Sequence, residues 1–303
     1  MNYQLSSLYT LIYLIIITII LYYITNYLVS PINQENFTPN KPYLWVYWEL
    51  KPGVSKPPDY ISLCLKIMKQ KSYLFNYILL DNHNIYNYLP DLRRDINNLP
   101  IALKTDYIRI LLLYKYGGLW LDADTIVMNN LQAIIDLLDK QTDFIGFGCT
   151  GNICLDNQGY SKPSNGAMAA IKDSKLMKLC LDKLNKKLDN CTDFKNFKYF
   201  DLGKLIIWES IKELEQKINY KYYHFDVNSD GSRDKSGHWV APDLIFKKDI
   251  EYENLDKLLF VFLANSYYCG DDSKYNWFCS LGEQEILSGG YYISKLFRRA
   301  LVV

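Results

Sequence analysis

The stretch KYGGLWLDADTIVMNNL, Lys115 to Leu131, decides the fold. A glycine pair follows the helix-like run Ala102 to Tyr116. Three apolar residues come next, Leu119, Trp120 and Leu121, and then two aspartates one residue apart, Asp122 and Asp124. Leu103, Tyr107, Ile110, Leu111 and Tyr114 fall on one face at helical spacing, and Gly117 stands where a helix C-cap is expected. The apolar triplet predicts a short buried strand, with both carboxylates at its carboxyl end or in the loop after it. Residues i and i+2 of a strand point to the same side, and two same-side carboxylates repel unless a cation lies near them. Oxygen ligation of this kind suits Mg²⁺ or Mn²⁺, which keep waters and bind substrate phosphates as well. The competing reading is a solvated D-x-D at a turn.

Working outward, strands and helices alternate. Tyr43 to Trp48 is a β-rich apolar run, Tyr60 to Lys69 has helical spacing, and Tyr77 to Leu80 is a second strand candidate ending at Asp81. Such alternation predicts an α/β domain with a mixed, largely parallel central sheet, whose ligands bind beyond the carboxyl ends of the strands. Leu202 to Lys217 is helix-like, and the tail Gln284 to Val303 is expected to complete the domain.

The 303 residues exceed the usual single-domain size, but one large α/β domain and a non-globular segment account for them. The net charge of +1 and pI near 7.5 give no basic surface, and no nucleic-acid partner is expected. Asn2 to Gln34 carries no charged side chain, and Leu8 to Leu28 is almost wholly aliphatic and aromatic. That segment is long enough to cross a bilayer, and tyrosines gather toward its ends. A cleaved signal peptide would need a basic leading segment and a small-x-small site, and both are missing. The expected organisation is a transmembrane anchor at 1–29, a Pro-bounded polar stem at 30–40 and a globular domain at 41–303. Two sequons, at Asn36 and Asn190, are compatible with a lumenal globule. The seven cysteines form no CxxC and no zinc-ligand spacing; Cys149 and Cys154 are spaced to bridge a loop or to remain free thiols.

Thr105-Asp106-x-x-Arg109, followed by Tyr116-Gly117-Gly118-x-Trp120-x-Asp122-x-Asp124, resembles the signature of sugar transferases that carry a D-x-D motif. The capsular polysaccharide synthesis family is the nearest in pattern, beside the yeast-type initiating mannosyltransferases and the glucosylating bacterial toxins. Leu44-Trp45-Val46-Tyr47-Trp48 looks like the opening strand of that family, Leu79-Leu80-Asp81 like its second, and Ser164 to Ala170 like the segment placed beside the sugar. The likeness covers about Lys41 to Leu184.

The resemblance implies a GT-A fold, a nucleotide-sugar donor, a glycan or other hydroxyl acceptor and Mn²⁺ or Mg²⁺ as cofactor. It implies that Asp124 binds the metal and that Asp122 contacts ribose and metal. Asp106 and Arg109, one helical turn apart, would reach the donor sugar, and Asn165 would lie beside it. Trp48, or else Trp45, would stack on the base; the alternative is that both fill the core. Retention of anomeric configuration, single-pass type II membrane topology and a lumenal catalytic domain follow from the same likeness. His238 and the Asn265-Ser266 pair are candidates for a third metal ligand. Thr105 stands where the family commonly has Ser. Asp226 to Asp234 mimics a calcium loop at its early positions, but Gly237 replaces the closing Glu, so a solvated polar loop is expected.

Two other functions compete. D-x-D with a later Lys, here Asp271-Asp272 and Lys274, also resembles haloacid-dehalogenase-type phosphatases. In that class the motif opens the domain and Thr or Val follows four residues after its first aspartate, where Ile126 stands. The other alternative is a catalytically inactive, membrane-anchored sugar-binding or scaffolding protein.

Overall fold

Trp45 and Trp120, both fully buried and level with each other on adjacent parallel strands, mark the centre of the domain. At about 25 cal/mol per Å² and roughly 200 Å² per indole, each ring contributes on the order of 5 kcal/mol of burial. The structure is a computed structural model and describes residues 17–18, 38, 40–148, 162–225, 229–270 and 272–302. The chain divides into two units, Met1–Pro39 and Asn40–Val303. Nearly all of the expected membrane helix and of the stem lie outside the described residues, as do Asn36, Cys149, Cys154, Asp226 and Asp271. Among the described residues no helix is long and apolar enough to cross a membrane.

In the second unit a six-stranded sheet is built from β1 (Tyr43–Tyr47), β2 (Asn76–Leu80), β3 (Gly118–Leu121), β5 (Phe144–Gly146), β6 (Ala167–Ala170) and β7 (Tyr223–His224), in the order β2-β1-β3-β6-β5-β7. A two-stranded ribbon pairs β4 (Thr125–Val127) with β8 (Phe260–Phe262). The sheet is mixed: β1 runs parallel to β2 and β3, and β5 to β7, whereas β6 is antiparallel to both neighbours. The parallel character expected from strand-helix alternation holds for the first half, where helical crossovers connect the strands.

Side-chain alternation divides the core in two. Leu44, Val46, Leu119 and Leu121 face helix α1 (Asp59–Lys71) and the C-terminal helices α6 (Glu283–Ser288) and α7 (Tyr292–Leu301). Trp45, Tyr47 and Trp120 face α2 (Ile101–Tyr116), α4 (Lys175–Asp189) and α5 (Lys204–Ile218), while α3 (Gln132–Asp139) packs in the first layer. Helix α2 is not the one-faced amphipath its spacing suggests, for Asp106 through Leu113 are all buried. Sheet and α4 cover its apolar residues, and its two polar members turn to a cavity. The Gly117-Gly118 pair ends α2 at φ of 69° and 100°, in the left-handed region that disfavours side chains. A Cβ on Gly118 would also strike the carbonyl oxygen of Tyr43, so the glycine lets β3 lie flush on β1.

Candidate active site

Because β1 and β3 are parallel, their carboxyl ends open on the same edge of the sheet. Trp48 directly follows β1 at that edge, with its N donating to Leu80 O at 2.9 Å. Asp122 through Asp124 then form a tight turn between β3 and β4. Both aspartates line one cavity of about 260 Å³, brought there by the turn itself and not by strand alternation.

The floor of this cavity comes from α2 and from the segment ahead of β6. Pairing of β3 with β6 carries on one step past the strand, with Asp122 N donating to Gly166 O at 2.8 Å. That contact places Asn165 over α2, where its Nδ2 donates to Asp106 Oδ1 at 2.7 Å. Arg109 is the hub. Its Nη1 lies 3.0 Å from Asp122 Oδ1 and donates to the Asn165 carbonyl, while its Nε is 3.4 Å from Asp106 Oδ1. The guanidinium carbon stands 5.0 Å over the Trp120 ring, whose Nε1 donates to Asp122 Oδ1 at 2.9 Å. Asp106 and Arg109 are 4% and 5% exposed, so their pairing is not the weak surface ion pair an isolated i, i+3 couple would be.

Burial pushes the Asp106 carboxyl up to about 7, with the charge of Asp122 adding to the rise; Arg109 and the Asn165 hydrogen bond oppose it and are outweighed. Burial raises the pKa of Asp124 too, and the negative charge of Asp122 adds to it. Asp124 Oδ2 accepts from Asn265 N at 2.8 Å, and Tyr60 OH on α1 donates to Asn265 Oδ1 at 2.5 Å. Three carboxylates therefore line a cavity that holds two cations, Arg109 and Lys204. This donor set fits a hard divalent cation: two carboxylates in one turn, with Asn265 and Ser266 on the same wall. Among the described residues no three His, Cys, Asp or Glu side chains are placed to hold one metal ion together, Asp106 included, so such an ion would keep waters or substrate oxygens in its remaining positions.

Of the residues singled out in the sequence, the cavity gathers Asp106, Arg109, Asp122, Asp124, Asn165 and the Asn265-Ser266 pair. His238 does not join them; it is exposed and faces Asp234 at 3.5 Å. Trp45 is fully buried, with its Nε1 donating to Gly117 O at 2.9 Å, so it is a core residue and not a stacking surface. Trp48, one residue past β1, is half-buried against the α1 layer and does not line the cavity. The expected solvated loop is also revised, for Asp230 is fully buried with Oδ1 accepting from Ser232 N at 2.8 Å.

Sequence reading missed Tyr199, Phe200 and Lys204, which form the opposite wall. They lie just before and at the start of α5, and an exposed aromatic pair followed by Gly and Lys is the one local signal they leave. It also missed a disulfide, Cys269–Cys279, beside the Asn265–Tyr268 helical turn.

A family model described as capsular polysaccharide synthesis protein matches residues 18–230. No curated protein matches the sequence. Among solved structures, the PaToxG glycosyltransferase aligns with a TM-score of 0.40 and 14% identity, over 59% of this chain and 70% of that one. A glycosyltransferase involved in the glycosylation of the major capsid of PBCV-1 aligns at 0.39 and 12%, over 78% and 97%. The glycosyltransferase GlyE of Streptococcus pneumoniae TIGR4 aligns at 0.42 and 12%, over 86% of this chain and 63% of that one.

Proposed function

The chain belongs to the capsular polysaccharide synthesis family, and from that premise we propose that the carboxylate cavity is the active site of a glycosyltransferase of GT-A type, fed by a nucleotide-sugar. The observation that carries this reading is the position of Arg109, whose guanidinium holds Asp106 and Asp122 in the cavity that also contains Asp124. Asp122 and Asp124 would hold Mn²⁺ or Mg²⁺. When bound, that ion supplies Lewis-acid stabilisation of the charge growing on the leaving diphosphate.

The chain's own residues do the rest. Asp106, kept in place by Asn165 and Arg109, accepts hydrogen bonds from donor-sugar hydroxyls; Arg109 offers its remaining N–H groups to a hydroxyl or phosphate. Trp48, one residue past the end of β1, would be the surface for the base. The acceptor hydroxyl oxygen bonds to the anomeric carbon while the bond from that carbon to the diphosphate oxygen breaks. The electron pair leaves with the nucleoside diphosphate, and the hydroxyl proton passes to a phosphate oxygen. Attack on the face the leaving group departs from gives retention. Leu8 to Leu28 would hold the enzyme at a membrane as a type II protein with the domain on the lumenal or equivalent side.

The phosphatase alternative needs the first aspartate, Asp122, as its nucleophile, but Asp122 Oδ1 is tied to Arg109 and Trp120. The test uses the full-length chain and its Asp124→Ala variant with a panel of UDP- and GDP-sugars, in Mn²⁺ or EDTA, while nucleotide release is followed. Metal-dependent release from one donor, lost in the variant, is the expected result. Silence across the panel together with no Mn²⁺ binding would leave the inactive sugar-binding scaffold in front.

A further inference from the structure

A second cavity of about 260 Å³ opens beside the carboxylate site. Ser164, Lys204, Phe262 and Leu263 line both, so the two are contiguous. Its outer wall is a turn in which Arg233 and Trp239 are antiparallel neighbours and Val240 N donates to Ser232 O at 3.0 Å.

Charge is segregated between the two cavities. Asp106, Asp122 and Asp124 all line the first, whereas among the described residues lining the second no side chain is acidic, and the charged ones are Lys204 and Arg233. Arg233 is buried against the charge of Asp230, which balances it locally. Lys204 has its electrostatic match, Asp106, in the first cavity and not in the second. Its ammonium lies 5.1 Å from the Phe200 ring and feels Asp106, but among the described residues it has no hydrogen bond and no ion pair. Burial lowers its pKa, and the charge of Asp106 opposes the fall without cancelling it. A half-buried cation without a bonded counter-ion is costly until an anion arrives. Trp239 is 60% exposed at the rim, offering an apolar ring face of the kind that packs against the C–H face of a pyranose.

We propose that this second cavity is the acceptor subsite and that it selects a sugar bearing an anionic group, a carboxylate or a phosphate, with Lys204 holding the anion and Trp239 packing against the ring. The proposal rests on the transferase reading of the neighbouring cavity, since the shared wall at Ser164 and Lys204 brings an acceptor hydroxyl next to a donor sugar.

The test takes the full-length chain with the donor identified by nucleotide release and compares three acceptors: methyl β-glucuronide, glucose 1-phosphate and methyl β-glucoside. At least one anionic acceptor is expected to exceed the neutral one in kcat/KM by about 10-fold or more. The two anionic arms separate carboxylate from phosphate. In Lys204→Gln the anionic-to-neutral ratio should collapse toward one, and any harm to donor turnover divides out of that ratio. Trp239→Ala should raise KM for both classes alike. A neutral preference in the wild-type chain, or a ratio unchanged by Lys204→Gln, overturns the proposal and assigns Lys204 to the donor phosphates. Calorimetric titration of the two anionic sugars separates the hypotheses if no donor turns over. Binding lost in Lys204→Gln then supports the anion site while the transferase reading fails, and no binding of either anion overturns the site as well.

Discussion

Replacing Gly203 by alanine asks whether the Asp106 carboxylate belongs to the reacting site. Gly203 caps the start of α5 directly over that carboxylate. A methyl there would stand 2.5 Å from Asp106 Oδ2 and 2.5 Å from Asn165 Nδ2. Relaxed contact needs roughly 3.5 Å, so one side chain or the other must move by about 1 Å. Neither is a free end. Asp106 is 4% exposed, and its Oδ1 is bonded to Asn165 at 2.7 Å and faces Arg109 Nε at 3.4 Å. Stretching the first contact by that amount takes it outside hydrogen-bond geometry, and losing a bond to a charged group costs roughly 1.5–3 kcal/mol. If Asp106 orients the donor sugar, a displacement of this size lowers kcat/KM for nucleotide release by about 100-fold.

The assay pairs kcat/KM with the midpoint of thermal unfolding, because a purely structural role would move only the second. A melting temperature lower by several degrees with kcat/KM within twofold of wild type would remove Asp106 from the reaction. An unchanged value of both would mean that the Asp106–Asn165–Arg109 cluster yields without consequence, and the geometric account of the site would be wrong.

Three further outcomes follow from the same packing. Asp124→Asn should abolish metal-dependent turnover yet stabilise the metal-free protein at pH 8, by about 1.4 kcal/mol for each unit by which folding raises this pKa. Melting in EDTA at pH 8 and again at pH 4, where the gain should vanish because the wild-type carboxyl is then protonated, checks the sign. Burial pushes Asp230 up to about 6, so the folded protein binds more protons than the unfolded chain between about pH 4 and pH 6. Stability falls by roughly 3 kcal/mol as pH rises through that window, and denaturant titrations of Asp230→Asn should lack this slope. Removing the Cys269–Cys279 bridge as the double serine variant should cost roughly 2–3 kcal/mol, from a loop of about ten residues. It should also weaken Mn²⁺ binding several-fold, because Cys269 N is bonded to Asn265 O and Asn265 N to Asp124. Mn²⁺ affinity unchanged in that variant would uncouple the bridge from the site.

How much of this site could be read from the chain depends on how far apart its parts lie in sequence. Asp106, Arg109, Asp122 and Asp124 sit within one helix-turn-strand unit, and the Gly117-Gly118 pair that aims the strand is itself a local signal, so their common cavity was legible. Asn265 meets Asp124 across 141 residues, through the pairing of β4 with β8, and no periodicity near either residue encodes that meeting. The choice between Trp45 and Trp48 turned on parity and strand length. Trp45 faces α2 in the middle of β1, whereas Trp48, three residues on, faces the other layer just past the strand end. Sequence located the strand but not its last residue, and that single position separates a ring inside the sheet from one just past its edge. Lys204 lay beyond pattern altogether. Its meaning comes from two cavities meeting at one helix start, with carboxylates on one side and none on the other. On the proposed reading, the D-x-D motif marks the half of the site that would face the donor, because metal and diphosphate chemistry would constrain it locally. The second cavity, the proposed acceptor half, is assembled from loops separated by tens of residues, and its charge is set only when the fold brings those loops together.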